Sequence, residues 1–146
     1  FDVLHFYKKA LELDASNPEY WFALGDSYSN LGNVEEAEEA YEKVMELAPD
    51  DIEICLDYSS LMFEEGRNVE GIAIISEGIK NNTGAAELYY RMVAYLFANG
   101  QYKEAISYLE QALISDPEKY ELLFEYLPQL QNNKVIIDIV NRYIGE

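Results

Sequence analysis

The stretch Tyr20–Asn33, YWFALGDSYSNLGN, decides the fold. Trp21, Leu24, Tyr28 and Leu31 recur at i, i+3, i+7 and i+10, which lines them along one face of a helix. Just upstream, Asn17 can accept from the first free N–H groups of that helix, and Pro18 suits its first position because a missing N–H there costs nothing. Gly32 marks the turn that ends it.

Advancing by 34 residues lands on the same chemistry. Gly32, Gly66 and Gly100 fall in register, as do the small residues Ala37, Gly71 and Ala105 and the acids Glu19, Glu53, Glu87 and Glu121. Each period divides into two helical patterns joined by a glycine-led turn and closed by a Pro, Asp or Asn cluster. After Gly32 the second pattern carries Val34, Ala37, Tyr41, Val44 and Met45 on its apolar stripe, with Asn33 and Glu36 spaced as a capping-box variant, and it stops at Pro49. The spacing predicts helices near 2–14, 18–31, 34–48, 52–65, 68–82, 86–99, 102–115, 119–131 and 134–144, and no strand.

This pattern resembles the tetratricopeptide repeat, W-x2-L-G-x2-Y followed by Gly, Ala, an aromatic, Ala and Pro. Trp21, Leu24, Gly25, Tyr28, Gly32, Ala37, Tyr41 and Pro49 stand at those positions, with Val44 in place of the second Ala. The unit 86–119 keeps Tyr89, Gly100, Ala105, Leu109, Ala112 and Pro117 but has Met92 and Val93 where Leu-Gly is usual, and 52–85 carries size-shifted equivalents. The resemblance implies an all-α, right-handed superhelical solenoid of antiparallel helix hairpins over 1–146: a half repeat at 1–17, repeats at 18–51, 52–85 and 86–119, and a degenerate last repeat at 120–146. Close docking of neighbouring helices requires small residues, and Gly25 against Ala37 and Ser59 against Gly71 are the expected close approaches.

The 28 acidic against 10 basic residues give a formal charge of −18, which repels nucleic-acid phosphates and anionic headgroups. Those surfaces are excluded as partners, and a basic or mixed polypeptide is favoured. Cys55 is the single cysteine, so no intrachain disulfide forms, and its apolar surroundings read as those of a small buried hydrophobe. No run approaches a bilayer-spanning length. The expected location is the cytoplasm, with the periplasm or a place in a larger chain as alternatives, since the sequence opens on Phe1 without an initiator Met.

Little in the chain suggests catalysis. His5 is the single histidine, phosphate-binding glycine motifs and nucleophile elbows are missing, and acid pairs such as Glu35-Glu36 belong on a solvated face. No cofactor, metal site or enzyme activity is expected. The glutamates at 34-residue spacing sit in first turns of helices, where a carboxylate complements the helix dipole.

In the resembled family the first helices line a concave face. Carried over position by position, that face would hold Phe22, Asp26, Leu56, Ser60, Phe63, Tyr90, Arg91, Phe97 and Phe124. The family's basic clamp for a C-terminal carboxylate would need cations and amides where this chain has Phe22, Asp26, Asp57 and Ser60. The expected function is therefore protein–protein interaction through an acidic, aromatic groove, taking a basic and apolar segment that is either extended or helical. The alternatives are a scaffold that self-associates through its apolar ends, where Val3, Phe6, Tyr7 and the KVIIDIVNRYI stretch (134–144) lack an obvious cover, and an accessory domain of an enzyme. Pro128 should shorten or kink the penultimate helix, which could swing the last one back over the array.

Overall fold

The computed structural model describes residues 2–145; Phe1 and Glu146 lie outside it. Nine α-helices follow one another among the described residues: α1 Val3–Leu13, α2 Pro18–Asn30, α3 Val34–Leu47, α4 Ile52–Glu64, α5 Asn68–Asn81, α6 Ala86–Ala98, α7 Tyr102–Ser115, α8 Glu121–Tyr126 and α9 Lys134–Tyr143. Helices α2 and α3, α4 and α5, and α6 and α7 pair as hairpins, and each hairpin leans on its neighbours in the chain. The result is a helical-hairpin solenoid, in which apolar faces are buried only by stacking.

The 34-residue register has a backbone cause. Gly32, Gly66 and Gly100 adopt φ of +78°, +75° and +79°, the left-handed conformation that closes a helix and that side chains disfavour. At the first of these, the Gly32 N–H donates to the Ser29 carbonyl and the Asn33 N–H to that of Tyr28. The Asn33 side chain makes no capping bond, contrary to the capping-box reading: the turn is already satisfied through its main chain. Asn17 caps α2 as expected, accepting from the Glu19 N–H at 2.9 Å.

The close approaches differ in detail from expectation. A Cβ on Gly25 would stand 2.6 Å from the Tyr41 ring and 3.4 Å from Ala40 Cβ, so Gly25 makes room for an aromatic face rather than for Ala37. A Cβ on Gly71 would meet the Phe63 ring at 2.5 Å and the Ser59 carbonyl at 3.2 Å, in line with the Ser59–Gly71 pairing. Gly78 is pressed against Cys55, whose thiol is fully buried and pushed up to about 11, chiefly by that burial. Gly84, in the turn between α5 and α6, has nothing near its absent side chain.

The penultimate helix is broken. Where one helix over 119–131 was expected, a 3-10 turn at Pro117–Lys119, the short α8 and a second 3-10 turn at Pro128–Asn132 follow one another. Pro128 has no N–H to donate to a continuing ladder, so the helix stops at Tyr126. The last helix does not swing back over the array: α9 packs on α7 and on the second 3-10 turn, continuing the stack. Ile136, Ile139 and Val140 of α9 are buried, so most of its apolar character is spent inside the chain, while Val135 is left 56% exposed.

Candidate functional site

The first helices α2, α4, α6 and α8 form one wall of the solenoid, with α6 in contact with both α4 and α8. Two cavities adjoin along it. The first, of about 340 Å³, lies between α2 and α4 and is lined by Asp26, Ser29, Asn30, Tyr41, Asp57, Ser60, Leu61 and Glu64. The second, of about 320 Å³, lies between α4, α6 and α8 and is lined by Ser60, Phe63, Glu64, Arg91, Tyr95, Glu125 and Tyr126. Ser60 and Glu64 belong to both, so the last turns of α4 form the ridge between them.

The first cavity is acidic and internally strained by charge. The Tyr41 hydroxyl, from α3, donates to Asp26 Oδ1 at 2.6 Å, and burial together with Asp26 pushes this phenol far above its ordinary range. Burial pushes the Asp57 carboxyl up to about 6; the negative charges of Asp26 and Glu53 and a hydrogen bond with Asp26 act in the same direction, and Arg91 opposes them. Among the described residues, Asp26, Asp57, Glu64 and Glu125 have no ion-pair partner within 4.0 Å, as holds for most acids of this chain, while Glu38 binds Arg67 at 2.8 Å and Glu87 binds Lys119 at 3.5 Å. No lysine or arginine of the described chain thus stands within ion-pair distance of the carboxylates facing this groove.

The second cavity is built around Arg91. Its Nη1 donates to Ser60 Oγ at 2.7 Å and to Tyr95 Oη at 2.9 Å, and the Leu56 carbonyl lies 3.5 Å away. The guanidinium carbon stands 4.1 Å from the centre of the Tyr126 ring, a cation–π contact that reaches from α6 to α8. Tyr95 in turn shares a hydrogen bond with the buried Ser59 at 3.0 Å, and its ring stacks on Phe63 at 3.8 Å with planes 13° apart.

The sequence-derived groove residues are placed unevenly. Asp26, Ser60, Phe63 and Arg91 line the two cavities. Phe22 and Leu56 are half-buried on the same helices, Phe22 edge-on to Tyr41 at 6.1 Å. Phe124 lies further along, in a separate cavity with Tyr120, Glu121, Glu125 and Gln131. Phe97, near the C-terminal end of α6, lines a different cavity with Tyr102, Ile106 and Val135 and is outside this groove. Tyr90 is a correction: it is fully buried, because its side chain turns in toward the end of α7, where its hydroxyl donates to the Asp116 carbonyl at 2.9 Å. Tyr95 and Tyr126 were missed, although Arg91 and Tyr95 at i and i+4 were legible as neighbours on one helix face.

Stacked hairpins, the 34-residue glycine register and a wall of first helices together define a tetratricopeptide solenoid. The sequence profile described as the cytochrome c-type biogenesis protein H TPR domain matches residues 7–121, and the chain belongs to that family of tetratricopeptide-repeat domains. It is 26% identical over 121 residues to the protein CTR9 homolog of Arabidopsis thaliana, covering 81% of this chain but only 11% of that protein's length. The crystal structure of MamA superposes with a TM-score of 0.71 at 24% identity, covering 96% of this chain and 81% of that one. The first TPR domain of Spaghetti (RPAP3) bound to the HSP90 peptide SRMEEVD superposes with a TM-score of 0.63 at 22% identity, over 82% of this chain and 94% of that one. At these identities both structures speak for the fold alone. Among the described residues, no helix is long and apolar enough to cross a membrane.

Proposed function

We propose that this chain is a non-catalytic interaction module that binds a polypeptide segment carrying basic and apolar residues along the wall of its first helices. The observation that carries this reading is the run of carboxylates without a cationic partner, Asp26, Asp57 and Glu64, beside the aromatic cavity of Phe63, Tyr95 and Tyr126. Complementary charge steers encounter and selects partners, while partly exposed rings supply the buried anchors that dominate binding energy. Spaghetti is a related solenoid whose ligand is acidic; the sign of this groove suits the opposite kind of segment. The test is affinity capture by the wild-type chain and by an Asp26→Lys, Asp57→Lys variant, compared by mass spectrometry. Proteins retained by the wild type and lost from the variant support the reading, and equal retention overturns it.

A second reading has its own observation. Val3 is 45%, Phe6 50% and Val135 56% exposed, which leaves apolar surface at both ends of the stack. Self-association through those ends, with the groove free, would give a mass that rises with concentration in sedimentation and is insensitive to the groove substitutions.

A further inference from the structure

Helix α1 stands one 34-residue period before α3, so each of its positions has equivalents in the second helices α3, α5 and α7 of the same molecule. Ala37, Gly71 and Ala105 are buried, as are Tyr41, Ile75 and Leu109, and Val44, Gly78 and Ala112. On α1 these three positions hold Val3, Tyr7 and Ala10, and none of them is buried: Val3 is 45% exposed. Phe6, edge-on to Tyr7 at 5.2 Å, is 50% exposed where Ala40 is buried. Another side of α1 is already spent, since Leu11 is buried and the helix packs on α2. In the complete hairpins the covering element is the first helix of the same pair. A Cβ on Gly25 of α2 would stand 2.6 Å from the Tyr41 ring of α3, and one on Gly71 of α5 would stand 2.5 Å from the Phe63 ring of α4. Among the described residues, α2, α4 and α6 each pair with their own second helix and α8 contacts α6, so none is free to cover α1 in this way.

We propose that the stripe of Val3, Phe6, Tyr7 and Ala10 on α1 is a docking surface for an amphipathic helix of another polypeptide, lying against α1 as a first helix lies against its second and presenting a glycine or alanine to Tyr7. The occupant is helical because the interface it continues, that of α2 with α3, α4 with α5 and α6 with α7, is made by helices in every instance. Its length follows from its counterparts, since α2, α4 and α6 each have 13 residues. Its small residue follows from volume. Tyr7 stands at the position of Tyr41, and Val3 and Phe6 are bulkier than Ala37 and Ala40 at the same register, so the partner must yield the space. A second copy is a poor occupant, because its own first helices are engaged and two chains of formal charge −18 repel each other. Helix α1 contributes no residue to either groove cavity, so this surface stands or falls apart from the groove reading given under Proposed function.

The probe is a synthetic peptide copying residues 17–31, held helical by a lactam bridge and labelled for fluorescence anisotropy. It is titrated with the wild-type chain, with Val3→Asp and with Val135→Asp at the other end of the stack. Val3 is the first residue of α1, where an acid favours the helix, so the substitution leaves α1 folded. The expected result is one peptide bound per wild-type chain and the same affinity for Val135→Asp. Affinity should fall about tenfold for the Val3→Asp chain, and about tenfold for a peptide carrying Gly25→Leu. No binding, binding that Val3→Asp leaves unchanged, or equal binding of the Gly25→Leu peptide overturns the proposal. A sedimentation mass that rises with concentration for the wild type but not for Val3→Asp overturns it as well, because a second copy then occupies the stripe.

Discussion

The Arg91 guanidinium of α6 and the Tyr126 ring of α8 lie 4.1 Å apart, and the same arginine donates to Ser60 of α4. One side chain thus ties three successive first helices, at the point where the repeat pattern of the sequence degenerates. Helix α8 has only six residues and Pro128 ends it, so its own ladder does little to hold it in place.

Replacing Arg91 by Ala should loosen α8 before the rest of the chain. A loss of about 1–3 kcal/mol is expected from the charged hydrogen bonds and the ring contact together. Arg91→Lys should rescue little of it, because an ammonium cannot lie flat on Tyr126 while reaching two hydroxyls. Amide exchange read by mass spectrometry should show the loss concentrated in residues 121–126; protection unchanged there would refute the tie.

Gly71→Ala and Gly66→Ala should both destabilise, for different reasons. At Gly71 the new methyl would meet the Phe63 ring at 2.5 Å, and that ring is held by its stack on Tyr95, so about 1–3 kcal/mol of overpacking is expected. At Gly66 nothing obstructs the methyl, and the cost of about 1–2 kcal/mol is that of a left-handed backbone. Urea titration should show both losses, and only the Gly71 variant should disturb the near-ultraviolet signal of the tyrosines.

Stability should fall as pH rises from about 4 to about 6. The folded chain holds the Asp57 proton up to about 6, whereas an exposed aspartate in the unfolded chain releases it near 4. Within that window the folded state binds more protons than the unfolded one, so raising the pH favours unfolding; above it the penalty is constant. Asp57→Asn should flatten this slope and raise the melting temperature at pH 7. A variant that melts lower at pH 7 with the slope intact would refute the assignment.

Trp21 donates from its indole N–H to the Ala15 carbonyl at 2.8 Å, which pins the turn between α1 and α2. Trp21→Phe keeps most of the ring and removes the donor, so about 1 kcal/mol should be lost from the docking of α1. Faster amide exchange confined to residues 3–13 is the expected outcome, and uniform destabilisation would argue that Trp21 acts only as core.

The legible part of this molecule was whatever repeats. Gly32, Gly66 and Gly100 announced their turns because a positive φ leaves few residue choices, and Glu19, Glu53, Glu87 and Glu121 all stand in first turns of helices as expected. The groove was less legible because register is not exposure. Phe22, Leu56, Tyr90 and Phe124 occupy one repeat position, yet Tyr90 alone is fully buried, with its hydroxyl bonded to the Asp116 carbonyl at the end of α7. Gly25 was matched to the wrong neighbour because sequence spacing specifies that a gap must be small but not which ring fills it. The Arg91–Tyr126 contact joins residues 35 positions apart in a degenerate repeat, and no periodic argument reaches it.

Gly84 joins two halves that hold each other mainly by interlocking side chains: Leu88 against Gly78, Tyr95 against Ser59 and Phe63, Arg91 against Ser60. At Gly84 itself nothing lies within 4 Å of where a side chain would begin. A chain severed there would therefore keep the surfaces by which its pieces recognise one another. The two fragments, produced separately, should find each other and restore the groove, which makes this solenoid a natural reporter whose assembly can be switched on by mixing.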